Sequence, residues 1–237
     1  MRRHLLMRLE APLMAFGGET IDNYGVIRDF PALSMVTGLL ANALGYRRED
    51  SDLHDRLQTR LVVGARLDRA VQRLTDFQTA QLSKDDKGWT TWGVPEERRG
   101  GAESYKSPHL RYRDYHASLS VLVALRLEPS DESPDLDDLA HALDRPARPL
   151  FIGRKSCLPS KRILAGWVIA ENVLGALQTA GQPESTTRSR LQWPEGEGSL
   201  NGDRLIELCD ERNWTSGVHG GWRPVREGSL PNSGEHS

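Results

Sequence analysis

The chain alternates between short apolar runs with the period of a strand and longer stripes with the period of a helix. His4 to Glu10 reads as a buried first strand. Ser34 to Gly45 reads as a helix with Ser34 as its N-cap and Gly45 as its stop; Met35, Val36, Leu39, Leu40, Ala43 and Leu44 form one buried stripe. Leu61 to Ala70 is a second strand, with Val63, Ala65 and Leu67 alternating against their neighbours, and Ala117 to Leu127 is the clearest strand of the chain. Ser133-Pro134 opens a short acidic helix with Pro at its first position and Leu136, Leu139, Ala140 and Leu143 on one face. Leu150 to Gly153 reads as a fourth strand.

Strand, helix, strand, strand, helix, strand is the order of a ferredoxin-like or RRM-like α+β domain. That fold hosts many functions and selects none. A long polar insertion, about residues 76–113, separates the second and third strands and carries Trp89, Trp92 and Tyr105; inserts of this length in compact domains are functional or disordered. Beyond the core, Ile163 to Ala170 reads as a strand and Glu171 to Ala180 as a helix, with further strands near Leu205 to Cys209 and Trp222 to Arg226. The expected organisation is an RRM-like domain over residues 1–157 bearing a thumb-like insertion, followed by a β-rich part over 158–237.

At 237 residues and 38% hydrophobic content the chain can bury a substantial core. No apolar run approaches the ~18 residues of a membrane span, and Arg8 and Glu10 interrupt the N-terminal stretch as a signal peptide. A cytoplasmic protein without membrane contact is expected. The two cysteines, Cys157 and Cys209, form no metal-spaced cluster, and both read as reduced and structural; neither metal nor cofactor is expected.

Charge changes the picture. The formal net charge is −2, yet Arg145 to Arg162 holds six basic residues and no acidic one, while Glu128 to Asp144 holds seven acidic residues and no Lys or Arg. Segregation of this kind reads either as a local polyanion site or as a solvated loop. Gly153-Arg154-Lys155-Ser156 is not a nucleotide-hydrolysing P-loop, because Arg148 and Arg154 stand where that pattern needs Gly and Lys. Its Gly backbone, Ser hydroxyl, Arg fork and Lys charge still suit a phosphate. Upstream, Lys106, His109, Arg111 and Arg113 interleave with Tyr105, Tyr112 and Tyr115, the mixture of cations and flat rings that single-stranded nucleic acid requires. On a strand, Tyr112 points away from Arg111 and Arg113 and is equally readable as a core residue. Six neutralised phosphates would give a slope of log affinity against log salt of roughly −4. Among the seven histidines, Tyr115, His116 and Lys155 offer one trio for metal-independent RNA cleavage.

Four blocks in order carry a resemblance to a known family: LLMRLEAPLMAFG (Leu5 to Gly17), RDFPALSMVTGLLANALG (Arg28 to Gly45), RYRDYHASLSVLVAL (Arg111 to Leu125) and FIGRKSC (Phe151 to Cys157), with NWTSGVHGGWRPVREG in the tail. The chain resembles the CasD-type subunit of type I-E CRISPR Cascade, a RAMP-superfamily protein that caps the 5′ end of the guide RNA. The resemblance implies a non-catalytic subunit in antiviral defence. Its partners would be the crRNA 5′ handle, the Cascade backbone subunit, the large PAM-reading subunit, and target DNA near the guide 5′ end through the thumb. It transfers handle binding to Arg28, Ser34, Arg111, Arg113, Gly153, Arg154, Lys155 and Ser156, beside Lys106 and His109 from the aromatic-basic segment. A related subunit of type I-C systems is itself a metal-independent ribonuclease, so processing of precursor crRNA is the alternative.

Overall fold

Eight consecutive buried residues, Ser120–Leu127, form the central strand. Val121, Val123 and Leu125 join one apolar cluster, and Leu122 and Ala124 join another. The unbroken Val/Leu run therefore reflects a strand covered on both faces. The structure, a computed structural model, describes residues 1–69, 72–81, 108–181 and 188–230. Its first half comprises β1 (Arg2–Glu10), β2 (Leu13–Met14), β3 (Gly17–Ile21), β4 (Tyr24–Ile27), α1 (Leu33–Leu44), α2 (Ser51–Arg60), β5 (Leu61–Leu67) and β6 (Gln72–Ala80). The second half comprises β7 (His109–Ala117), β8 (Ser120–Leu127), α3 (Leu136–Asp144), β9 (Leu164–Ala170), α4 (Val173–Thr179), β10 (Ser189–Pro194), β11 (Arg204–Leu208) and β12 (Arg223–Leu230).

The larger sheet runs β11-β12-β10-β5-β8-β1-β9 with every neighbour antiparallel. Leu5 and Val63 both sit opposite Leu125, and these residues meet Val36, Leu40, Leu139 and Leu143 of α1 and α3 in the main core. The other face is covered by α4 through Val173, Leu174 and Leu177. Gly64 makes that approach possible: a Cβ there would stand 2.4 Å from Val173 Cγ1. The smaller sheet sets β2, then β4 and β3, along one side of β7 and β6 along the other, with only the β4–β7 pair parallel. The architecture is mixed α and β with mainly antiparallel sheets. Strands from both sides of residue 157 hydrogen-bond within the larger sheet.

Several sequence expectations are corrected. Residues 150–153 form no strand; Gly153 takes φ +86° and the chain turns there, with Ile152 N–H donating to the Cys157 carbonyl (2.7 Å). The fourth strand beside β1 is β9. Ser34 is not the cap of α1 but lies inside the helix, behind an Ala32 N-cap without a side-chain bond; Asp210 serves instead, its carboxylate accepting from Leu33 N–H at 2.8 Å. Helix α3 is capped by Asp135 in a capping box with Asp138, so Pro134 precedes the cap rather than opening the helix. The strand read over 117–127 is two strands, broken where Ser118 adopts φ +53°. The stop at Gly45 is as expected, in the left-handed region. No helix among the described residues is long and apolar enough to cross a membrane.

Candidate nucleic-acid interface

A groove of about 360 Å³ opens where four distant segments meet. Ser34, Met35, Gly38 and Asn42 of α1 form one wall; Gly17 and Gly18 of β3, then Phe151, Gly153 and Arg154, form the second; Arg212, Trp214 and His219 close it. The closing segment is anchored on α2. Trp214 stacks on His54 at 4.6 Å and donates from Nε1 to Gln58 Oε1 (3.2 Å), while Arg212 lies 5.2 Å over the Trp214 ring. Across the groove, a Cβ on Gly38 would stand 3.4 Å from the Trp214 ring.

The Gly153–Ser156 turn is tied to the body at its first two residues and free at its tip. A Cβ on Gly153 would fall 1.8 Å from the Ala15 carbonyl oxygen, so only glycine fits. Arg154 donates from Nη1 to the Asp114 carbonyl (2.8 Å) and from Nη2 to the Gly25 carbonyl (2.9 Å), with its guanidinium 4.6 Å over the Tyr115 ring. It therefore fastens the groove wall to the smaller sheet, and part of its fork is already engaged. Lys155 and Ser156 are exposed beside the groove.

The basic run does not survive as a charge cluster. Arg148 bonds the Tyr46 and Gly45 carbonyls beyond the end of α1 (2.6 and 2.8 Å), Lys161 pairs with Glu10 at 3.0 Å, and Arg162 pairs with Asp144. The acidic stretch is likewise spent: Asp137 holds Arg3 through two bonds of 2.8 Å, and Glu132 holds Arg56. The side chains of Arg145 and Lys155 alone of the six make no hydrogen bond or ion pair among the described residues.

The other proposed residues separate by face of β7. His109, Arg111 and Arg113 lie on one side, Arg111 donating to Asn23 Oδ1 at 2.6 Å. Lys106, with Trp89, Trp92 and Tyr105, lies outside the described residues. Tyr115 is buried beneath Arg154, whereas His116 faces the opposite side, fully buried. His116 Nε2 donates to the Arg28 carbonyl at 2.8 Å and the ring meets Phe16 at 5.1 Å; burial pushes its pKa down. Adjacent strand residues facing opposite sides cannot share one reacting phosphate, so Tyr115, His116 and Lys155 form no trio. Tyr112 is not core: it joins Tyr24 and Phe77 in a partly exposed row.

Arg28 lines a second cleft of about 300 Å³ with Arg73, Arg190 and Arg204. Asp29 accepts from Arg73 and from Arg190, both at 2.7 Å. Burial alone would raise the Asp29 carboxyl, but these two guanidiniums hold it below the ordinary carboxylate range.

A family model described as CRISPR-associated protein (Cas_Cas5) matches residues 4–226. The chain belongs to this family. The Cascade subunit CasD of the CRISPR system of Escherichia coli (strain K12) is 29% identical over 157 residues, 66% of this chain and 67% of that protein. A chain of a CRISPR RNA-guided surveillance complex has the same fold, with a TM-score of 0.67 at 22% identity over 97% of this chain and 90% of that one. A crystal structure of a Cas protein gives a TM-score of 0.59 at 26% identity, covering 97% and 95%. A Cascade subunit role follows from this kinship.

For this Cas5-family chain, the structure brings Ser34, Gly153 and Arg154 to one groove, with Lys155 and Ser156 adjoining. It puts Arg28 in the second cleft and His109, Arg111 and Arg113 on the smaller sheet. Sequence reasoning missed Arg212, Trp214 and His219, although the NWTSGVHGGW block contains the last two. It also missed Arg73, Arg190 and Arg204, for which no local signal exists: they come from three strands and only the fold converges them.

Proposed function

We propose that the chain is the non-catalytic subunit of a type I-E Cascade complex that holds the 5′ handle of the crRNA and links the backbone to the large PAM-reading subunit, in cytoplasmic antiviral defence. The observation that carries this reading is the groove itself. Ser34 and the Gly153–Arg154 turn, matched to the family as handle contacts, converge there with Arg212 and Trp214, which supply a cation and a flat ring for an unpaired nucleotide. Strand order β9-β1-β8-β5 with α1 and α3 on one face supports a ferredoxin-like, RAMP-type core. The β6–β7 extension would be the thumb that meets target DNA near the guide 5′ end. Handle capture here rests on hydrogen bonding, stacking and phosphate pairing.

Incubating the purified chain with end-labelled precursor RNA in EDTA and reading gel shift and cleavage together tests this. A shift without cutting is expected, weakened about fivefold or more by Lys155→Glu, as one lost phosphate contact becomes a repulsion. Cutting within the repeat, abolished by His116→Gln, would make the chain the processing endoribonuclease instead.

A further inference from the structure

One face of the smaller sheet carries an unassigned aromatic row. Tyr24 and Phe77 each stand opposite Tyr112 in register, lining three rings across three strands. Tyr24 and Tyr112 stack at 4.9 Å with planes 10° apart, and Phe77 meets Tyr112 at 5.1 Å. Tyr24 and Phe77 are nonetheless 55% and 54% exposed. Toward the cleft, the next pair on this face is polar, Thr75 donating to Asp114 at 2.7 Å.

The same face leads to a positive cleft. Two steps of the strand period beyond Phe77 and Tyr112 stand Thr75 with Asp114, then Arg73 with His116. Arg73 is bonded to Asp29, which also holds Arg190; Glu227 pairs with Arg204 at 2.7 Å and with Arg190 at 4.0 Å. With Arg28, the cleft sets four arginines against Asp29 and Glu227, a formal excess of two positive charges (4 − 2). Phe77 to Arg73 spans four residues, about 13 Å along a strand, which corresponds to no more than about four stacked nucleotides. Arg111 and Arg113 face the other way, so among the described residues of β6 and β7 the Arg or Lys on this face is Arg73, at the edge of the cleft.

We propose that this face is a track for single-stranded nucleic acid: Tyr24 and Phe77 stack unpaired bases beside Tyr112, and Arg73, Arg190 and Arg204 hold the phosphodiester that follows. Exposed flat rings next to surplus guanidinium charge are the chemistry that unpaired bases and phosphates need together. The track rests on the reading of the chain as a nucleic-acid-binding subunit, but uses side chains other than those that line the handle groove.

The test uses the full chain and short RNA and DNA oligonucleotides of one sequence carrying 2-aminopurine. Tyr24→Leu/Phe77→Leu keeps apolar surface and removes stacking; Tyr24→Phe/Phe77→Tyr keeps the rings. The Leu pair should lose about tenfold or more in affinity and the 2-aminopurine quench, with both retained in the ring-preserving pair. Arg73→Gln/Arg204→Gln cancels the formal excess of two positive charges in the cleft, which Asp29 and Glu227 leave uncompensated, and should reduce the salt slope by up to about 1.4, two single-strand phosphates at ~0.7 each. An effect confined to the RNA arm identifies the guide as the source, and one in the DNA arm the target or displaced strand. Unchanged affinity and quench in the Leu pair, with Lys155→Glu still weakening RNA capture, overturns the track and leaves the handle groove standing. The converse pattern keeps the track and removes the groove. A wild-type chain that binds neither oligonucleotide overturns both.

Discussion

Asp210 reaches back 177 residues to cap α1 at Leu33. Its carboxylate accepts the Leu33 N–H at 2.8 Å, its carbonyl accepts the Ser34 N–H at 3.0 Å, and Arg223 grips the same carboxylate through bonds of 2.7 and 2.8 Å. The contact fixes the helix end that forms one wall of the groove against the segment that closes it. Asp210 is 1% exposed. Asp210→Ala removes the carboxylate and leaves Arg223 and the Leu33 N–H unpaired, while the backbone carbonyl still accepts from Ser34, so a loss of roughly 3 kcal/mol is expected by urea denaturation. Asp210→Asn, which keeps an acceptor, should lose less. Equal losses would mean that the charge, not the cap, carries the effect.

How much of this was legible depends on distance along the chain. β1, α1 and β8 were readable because their apolar positions keep one period against one buried surface. The cap of α1 was not, because its acceptor comes from beyond β11 while Ser34 offers a plausible local one. Phe151-Ile152 looks like the end of a strand, but the approach of Gly153 to Ala15 forces a turn, and the β9 run takes the vacant edge beside β1. The charge segregation was real in sequence and is dissolved in space, since Arg3, Arg56 and Glu10 arrive from other elements. Within the groove, Ser34, Gly153 and Arg154 were found through a family motif, whereas Arg212 needed the fold. The separation of Tyr112 from Arg111 and Arg113 followed from strand period alone; its neighbours Tyr24 and Phe77 required the register.

The close approach at Gly153 can be measured against a control. Gly153 and Gly196 have nearly the same φ, +86° and +85°, but a Cβ on Gly196 meets nothing within 4 Å. Gly196→Ala should therefore cost only the left-handed backbone strain, ~1 to 2 kcal/mol. Gly153→Ala adds a collision with the Ala15 backbone, and should cost more than about 3 kcal/mol and displace Arg154 from the Gly25 and Asp114 carbonyls. Denaturation midpoints of the two variants check this, and similar values would show that the Ala15 contact yields freely.

The side chains of Arg145 and Lys155 differ from those of the four other basic residues of their run in making no hydrogen bond or ion pair among the described residues. If the run binds phosphate, the salt dependence resides in these two. Arg145→Gln/Lys155→Gln should reduce the slope of log RNA affinity against log salt by about 1.4. Lys161→Gln/Arg162→Gln removes the ion pairs with Glu10 and Asp144 and should leave the slope unchanged within error. Titration of the full chain with handle RNA between about 50 and 200 mM salt separates the pairs. A larger change in the second pair would mean that their ion pairs open on binding.

His4 and His116 give the fold a defined acid sensitivity. Both are fully buried, and burial pushes both below the ordinary histidine range, with the Arg126 charge adding to the effect at His4. His4 Nε2 and His116 Nδ1 have no hydrogen-bond partner among the described residues, so no acceptor awaits a second proton on either ring. In the unfolded chain both titrate at about 6.5. Below that pH the unfolded state binds more protons than the native state. Stability is therefore held above about pH 7 and falls as pH drops through 6.5 toward the depressed native values. Urea midpoints between about pH 7.5 and 5.5 should decline for the wild-type chain and decline less for His4→Gln/His116→Gln. Gln at position 116 retains an N–H to offer the Arg28 carbonyl, which separates the titration from simple loss of that bond. Parallel declines in the two proteins would assign the acid sensitivity instead to Asp29 and Glu197, whose carboxyls Arg190 and Arg126 hold below the ordinary range.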